Sequence, residues 1–465
     1  MRKTLRLSKK KLPPKDTRPP APGERKAIRK RIILSNTNAL EVPGLPVLNK
    51  EDCSKDSIKS NVVVLPDELV DSLRAMEAFK VGQAWGFFRR PATLIREEAL
   101  ELSTVMDTVA ANETKIPVVE RRIIYGERST GKSVLLLQAM AMAFLKDWIV
   151  ISIPECRDVT VGHTDYAPLP ETNPTQYVQP VYVANMLRQL VKANRPVLSS
   201  MRLWHKHDLP VPIQDNISLD RFAELGASDP EIAWQVFQAL WKELTSPSQA
   251  GQKPQERGLD AFGEDGATAP AKKSSKVSKS PSLDSSKDPL RRPPILMTMD
   301  NVSHLMTTSH YNTVDDNSKL QHIHAHDLSI VKHFIDYLSG TRTLPNGGMV
   351  LGATSSSEHA KSDALDVAIA MAEARQSQPG ACLNLSDFWD PYKKIDQRCL
   401  ECLDTVKVTK LAGLSRENAR AVMEYWASSG MVRDRIVDTL VAEKWTLSGG
   451  GIVGELEKAV VRQRI

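Results

Sequence analysis

The 465-residue sequence predicts an α/β fold with a parallel sheet, and three observations carry that expectation. A glycine-framed loop, Gly126 to Ser133, stands between the short apolar run Ile123-Ile124-Tyr125 and a long run of helix formers. Three further strand candidates follow at Trp148 to Ile153, Ile295 to Met299 and Gly348 to Thr354. All three are continuously apolar rather than alternating, as strands are when helices cover both faces of a sheet. A composition of 41% hydrophobic and 25% charged residues suits such a fold, and no uninterrupted apolar run is long enough to span a membrane.

Taken from the start, residues 1–50 read as a basic extended arm. The first 31 residues hold thirteen Lys and Arg against Asp16 and Glu24, a net +11. The formal net charge of the whole chain is +6, so the remainder carries −5. A Pro-rich segment of this charge cannot pack a core. It suits phosphate contact along RNA, a mitochondrial transit peptide or a solubilising tail, and composition leaves these open. Five cysteines, an odd number without regular spacing, argue against a disulfide scaffold and for a reducing compartment.

The loop Gly126-Glu127-Arg128-Ser129-Thr130-Gly131-Lys132-Ser133, with Val134 opening the helix, fits the P-loop pattern of Gly, four residues, then Gly-Lys-Ser. Its chemistry needs this order. Gly126 and Gly131 let backbone N–H groups turn toward phosphate oxygens, and a helix N-terminus adds a favourable dipole. Lys132 would reach the β- and γ-phosphates, and the Ser133 hydroxyl would ligate Mg²⁺. Asp300, closing the Ile295 to Met299 strand, stands where such sites place the acidic residue of the Mg²⁺ shell. The next residue is Asn301, where a glutamate would activate water, and an amide is no general base. Hydrolysis is therefore expected to be slow or absent. Thr354, ending the fourth strand candidate, is placed to sense the γ-phosphate.

Residues 51–245 and 294–395 form the expected nucleotide-binding domain. A Ser/Lys/Pro-rich insertion at 246–293 interrupts it, and 396–465 reads as a small helical or winged-helix-like lid. Asp327 is the expected N-cap of a helix through Tyr337, with Gly340 just past its end. In the lid, Ser415 is the expected N-cap of a helix that buries Ala419, Val422, Met423 and Trp426. Further helical patterns span residues 433–444 and 454–463.

Four other features compete for attention. Asn49-Lys50-Glu51-Asp52 matches a guanine-reading pattern but precedes the loop, the wrong order, and is taken as coincidental. His322, His324 and His326 alternate like ligands on a strand face, yet a polar loop is favoured. Cys399 and Cys402 form a lone CxxC without a second pair. Trp85, Phe87 and Phe88 beside Arg89 and Arg90 suit either base stacking or packing.

The stretch from Tyr125 to Tyr166, with YVQPVYVANMLRQLVKANRPVLS and LMTMDNVSHLM later on, resembles the death-associated protein 3 family. Members of that family are GTP-binding proteins of the mitochondrial ribosome's small subunit. The resemblance spans roughly residues 85–241 and 295 to the C-terminus. It implies an AAA+-like nucleotide fold, residence in the mitochondrial matrix and a place in the small-subunit head, with contacts to ribosomal RNA and to other mitochondrial ribosomal proteins. Carried onto this chain, Gly126, Gly131, Lys132 and Ser133 would hold phosphates and Mg²⁺, and Asp300 the metal shell. Ser129 stands where a third glycine would free the backbone. The expected ligand is GTP, or ATP or GDP, held as a structural group; the alternative is an NTPase switch that cycles with hydrolysis.

Overall fold

In the computed structural model the described residues are 32–462, apart from 112–116, 215, 248–291, 315–318, 357–359, 361, 379–387, 389, 391 and 393–394. The expectations for the basic arm through residue 31, and for most of the 246–293 insertion, fall outside them; residues 32–50, expected as the rest of that arm, instead pack Leu34 and Leu48 into the main core.

Five parallel strands form the central sheet: β1 (Val119–Tyr125), β2 (Ile149–Ile153), β3 (Ile295–Asp300), β4 (Gly348–Ala353) and β5 (Lys407–Lys410). Their order across the sheet is β5-β1-β4-β3-β2. Every residue of β2, β3 and β4 is buried, which accounts for their continuous apolar runs. β1 begins four residues earlier than its apolar end, because Arg122 is neutralised there by Glu120 at 2.7 Å and Glu101 at 2.6 Å. β5, with only four residues, carries too little pattern to stand out in the sequence.

Thirteen helices accompany the sheet among the described residues. In chain order they are α1 (Asp67–Ala75), α2 (Glu97–Ala111), α3 (Lys132–Leu145), α4 (Cys156–Thr160), α5 (Pro180–Leu198), α6 (Leu219–Ser228), α7 (Ala233–Leu244), α8 (Ser329–Ser339), α9 (Asp363–Ser377), α10 (Gln397–Cys402), α11 (Arg416–Ser428), α12 (Asp438–Leu447) and α13 (Val453–Val460). Helix α3 is strongly apolar, and ten of its fourteen residues are buried, so it forms a core layer rather than a surface. Helix α5 kinks at Asn194, ahead of Pro196. The buried Asn194 amide accepts from Val150 N at 2.8 Å and donates to Val150 O at 2.9 Å, so it caps the free side of edge strand β2.

Two expectations about helix ends divide. Gly340 follows α8 in the left-handed region, as expected of a C-terminal glycine. Asp327 does not cap α8, because the helix starts two residues later; its carboxylate faces Arg398 at 3.3 Å instead. Ser415 does cap α11, accepting from Asn418 N at 3.2 Å, and Ala419, Val422, Met423 and Trp426 are all buried. Helices α11, α12 and α13 form a second hydrophobic cluster with Phe88 and Leu414, separate from the sheet's core. Residues 433–437 lie outside α12, which begins at Asp438.

At the far end of the insertion, Arg292 is fully buried against Glu243, with a 2.9 Å ion pair. Glu243 also accepts from Trp204 N, His205 N, His205 Nδ1 and His207 Nε2 within 2.7–2.9 Å. A buried charge is tolerated when it is so fully partnered.

Candidate nucleotide-binding cleft

The register of the sheet builds the site. Ala353 of β4 pairs with Ile124 of β1 on one side and with Asp300 of β3 on the other. The carboxyl ends of three neighbouring strands are therefore level, and each is followed by a polar segment. Open α/β sheets bind ligands at such an edge. A cleft of about 470 Å³ lies there, within the usual range for a small-molecule site. Arg128, Ser129, Thr130, Gly131, Lys132, Ser133, Val134, Asp300, Asn301 and Thr354 all line it. Gly126 and Glu127 stand behind the loop and supply carbonyls to it.

Gly126 has φ +149°, and a Cβ there would come within 2.4 Å of Leu411 O, so the crossing of loop and β5 end requires glycine. Gly131 precedes α3 in the left-handed region at φ +102°. Ser129 adopts φ +63°, a conformation that costs an L-residue about 1 kcal/mol. The loop thus takes at Ser129 the turn a third glycine would have eased, and Gly454 N in α13 donates to Ser129 O at 3.1 Å. Thr130 Oγ1 donates to Glu127 O at 3.0 Å.

Lys132 is 7% exposed, and its ammonium donates to Gly126 O at 2.8 Å and Glu127 O at 2.6 Å. Burial pushes its pKa down, while Asp300 pulls the other way. The first N–H groups of α3 have no helical acceptor and open on the cleft with Ser133 and Val134. Uncommitted N–H groups beside a buried ammonium suit an anion. The Ser133 hydroxyl and the Asp300 carboxylate are hard oxygen donors of the kind Mg²⁺ takes.

Sequence reasoning missed several residues. Lys80 lies 3.4 Å from Asp300 Oδ2 and 3.7 Å from Glu155 Oε2, and donates to Pro154 O. Glu155 accepts from Asn301 Nδ2 at 2.9 Å. Arg96 donates to Thr130 O at 3.2 Å and Ala412 O at 3.0 Å, fastening the loop to the segment that leads into α11. Trp85, Phe88, Tyr425 and Trp426 give the cleft an apolar wall. Lys80 and Arg96 lie in unpatterned segments, so nothing local marks them; Glu155 was readable only as a carboxylate two residues past β2.

A family model described as mitochondrial ribosomal death-associated protein 3 matches residues 93–459, most of the chain and all of the loop, Asp300 and Thr354. The chain belongs to that family. Small ribosomal subunit protein mS29 of Neurospora crassa is 41% identical over 457 residues, 98% of this chain and 86% of that protein. Small ribosomal subunit protein mS29 of Schizosaccharomyces pombe is 22% identical over 392 residues, 83% of this chain and 68% of that protein.

In this death-associated protein 3 family member the remaining candidates have structural explanations. Asn49 to Asp52 line no part of the cleft, and Lys50 pairs with Asp147 at 3.1 Å. Trp85 packs edge-on to Phe79 and Phe88 lies tilted beside Tyr425, contacts of core packing that still leave both side chains lining the cleft. His322 and His324 lie on a strand (Leu320–His324), not in the expected polar loop, and His324, Asp396 and Cys399 bring ligand atoms within 4.8 Å of one another. However, His324 Nδ1 accepts from His326 N at 3.1 Å. The neutral ring therefore carries its proton on Nε2, which lies 3.0 Å from Asp396 Oδ2 without hydrogen-bond geometry. A metal at Nε2 would force Nδ1–H against an N–H donor, which disfavours a metal there. Cys402 Sγ meanwhile donates to Cys399 O.

Proposed function

We propose that this chain, a component of the small subunit of the mitochondrial ribosome by family membership, holds a purine nucleoside triphosphate in the cleft as a ligand that stabilises its fold. One observation carries the reading: the Gly126 to Ser133 loop, Asp300 and Thr354 converge at the level ends of three adjacent strands, with Lys132 buried among them. Loop N–H groups from Arg128 through Val134 and the Lys132 ammonium would hold phosphates. Ser133 and Asp300 would hold Mg²⁺, whose charge neutralises the phosphate oxygens. Thr354 would face the γ-phosphate, and the wall of Trp85, Phe88, Tyr425 and Trp426 would receive the base. GTP is the ligand expected from the family, with ATP and GDP as the tested rivals.

The strand order and the helical cluster α11–α13 against the loop support an AAA+-like P-loop domain over 51–245 and 294–395 that also takes in β5, past the expected boundary. The same features support a C-terminal lid within 396–465, its core beginning after β5. The partners proposed are ribosomal RNA, met by the basic arm, and neighbouring ribosomal proteins. A ligand that binds only the folded state stabilises it by about 4 kcal/mol at a thousandfold excess over Kd. The test is native purification, denaturation and chromatography of the released nucleotide, beside Lys132→Ala. Stoichiometric nucleotide, as triphosphate or its diphosphate product, in the parent protein and none in the variant is the expected result. An empty cleft in well-folded parent protein would overturn it.

A further inference from the structure

The cleft contains a carboxylate that nucleotide binding alone does not use. Ile153 of β2 pairs with Met299 of β3, so two residues farther along Glu155 comes level with Asn301. The two side chains meet: Asn301 Nδ2 donates to Glu155 Oε1 at 2.9 Å, and Asn301 Oδ1 accepts from Ser303 Oγ at 2.8 Å. Asn301 is itself buried with φ +66°, so its amide is fixed from both ends. The carboxylate absent from position 301, just past β3, is thus present just past β2, gripped by the amide that stands in its place.

Elimination points the same way. Among the described residues, the carboxylates lining the cleft are Asp300, Glu155 and Glu457. Glu457 is ion-paired with Arg462 at 2.6 Å, and Asp300 faces Lys80 in the position suited to a cation. Glu155 remains, its side chain 31% exposed and its Oε2 3.7 Å from the Lys80 ammonium that it shares with Asp300. Burial raises its pKa, opposed by Lys80 and by the Asn301 hydrogen bond, a direction that strengthens a proton acceptor.

We infer that Glu155 aligns and deprotonates the water that attacks the γ-phosphate of a bound nucleotide, with Asn301 as its positioning residue. The inference rests on the nucleotide reading above. The water oxygen bonds to the γ-phosphorus as that atom's bond to the bridging oxygen breaks. The electron pair of the broken bond leaves with the diphosphate, the γ-group departs as inorganic phosphate, and the water proton passes to Glu155 and then to solvent. The base is displaced to the neighbouring strand, and hydrolysis, though slow, has a residue to perform it.

The experiment uses the full chain with radiolabelled GTP and ATP in Mg²⁺ buffer. It measures single-turnover hydrolysis, nucleotide affinity by calorimetry, and the diphosphate-to-triphosphate ratio released from natively purified protein. Glu155→Gln should slow turnover about a hundredfold and shift the released nucleotide to triphosphate, with affinity little changed. The exchanged pair Glu155→Asn with Asn301→Glu keeps the same contact and should restore turnover. It also decides the matter if Glu155→Gln fails to fold. Unchanged turnover in Glu155→Gln, or a parent protein that binds triphosphate and never cleaves it, overturns the inference alone. Failure of both parent and Lys132→Ala to bind nucleotide overturns the binding reading with it.

Discussion

Lys132 shows how one side chain is prepared for an anion before any arrives. Its ammonium is buried against two loop carbonyls, neutral partners that leave its charge uncompensated except by Asp300. Lys132→Ala is expected to fold, because the lost partners are carbonyls at a cleft edge. Its melting temperature should no longer rise with added GTP and Mg²⁺, a comparison that differential scanning calorimetry makes directly. Glu243 is the opposite case, a residue whose loss the fold feels everywhere. Glu243→Ala would strand Arg292 without a counter-charge, at a cost of about 3–5 kcal/mol, measurable by urea unfolding. Burial raises the Glu243 pKa, but hydrogen bonds from Trp204, His207 and His205 outweigh it and the net shift is downward. Its contribution is therefore complete above the ordinary carboxylate range and is lost as pH falls through the lowered value. Unfolding in acid should accordingly separate parent from Glu243→Gln less and less as pH drops.

At the scale of elements, the nucleotide loop meets the lid at Gly454. A Cβ on Gly454 would come within 2.6 Å of Ser129 Cβ, at the point where Gly454 N donates to Ser129 O. Gly454→Ala should push the start of α13 off the loop and weaken nucleotide affinity severalfold while α11–α13 stay helical, which isothermal titration with far-ultraviolet circular dichroism would establish. This contact also marks the limit of sequence reading. Loop, strand ends and the α11 face were legible because each is written in residues close together: Gly126 with Lys132, Ile295 with Asp300, Ala419 with Trp426. Lys80, Arg96, Glu155 and Gly454 were not, because each acquires its meaning from a partner far along the chain. β5 stayed hidden for a related reason, since KVTK becomes a strand only by pairing with Arg122 to Tyr125. Asp327 looked like a cap by its neighbours in sequence and was claimed instead by Arg398.

At the scale of the whole molecule, charge is divided: +11 in the first 31 residues and −5 in the rest. If the arm serves ribosomal RNA, a chain lacking residues 1–31 should keep its nucleotide and its melting temperature yet bind RNA more weakly. The slope of log affinity against log salt should also flatten, because fewer counterions are released. Filter binding across a salt series tests this. Equal slopes for the two chains would remove RNA contact from the arm's roles.

Arg96 ties these scales together. Its guanidinium holds Thr130 O in the loop and Ala412 O ahead of the lid, two points that no strand or helix joins directly. Such a side chain works as a rivet between plates: neither can slide without dragging the other. A neighbour docked on α11–α13 would therefore grip a surface whose placement is set at the loop, and would register whatever fills the cleft.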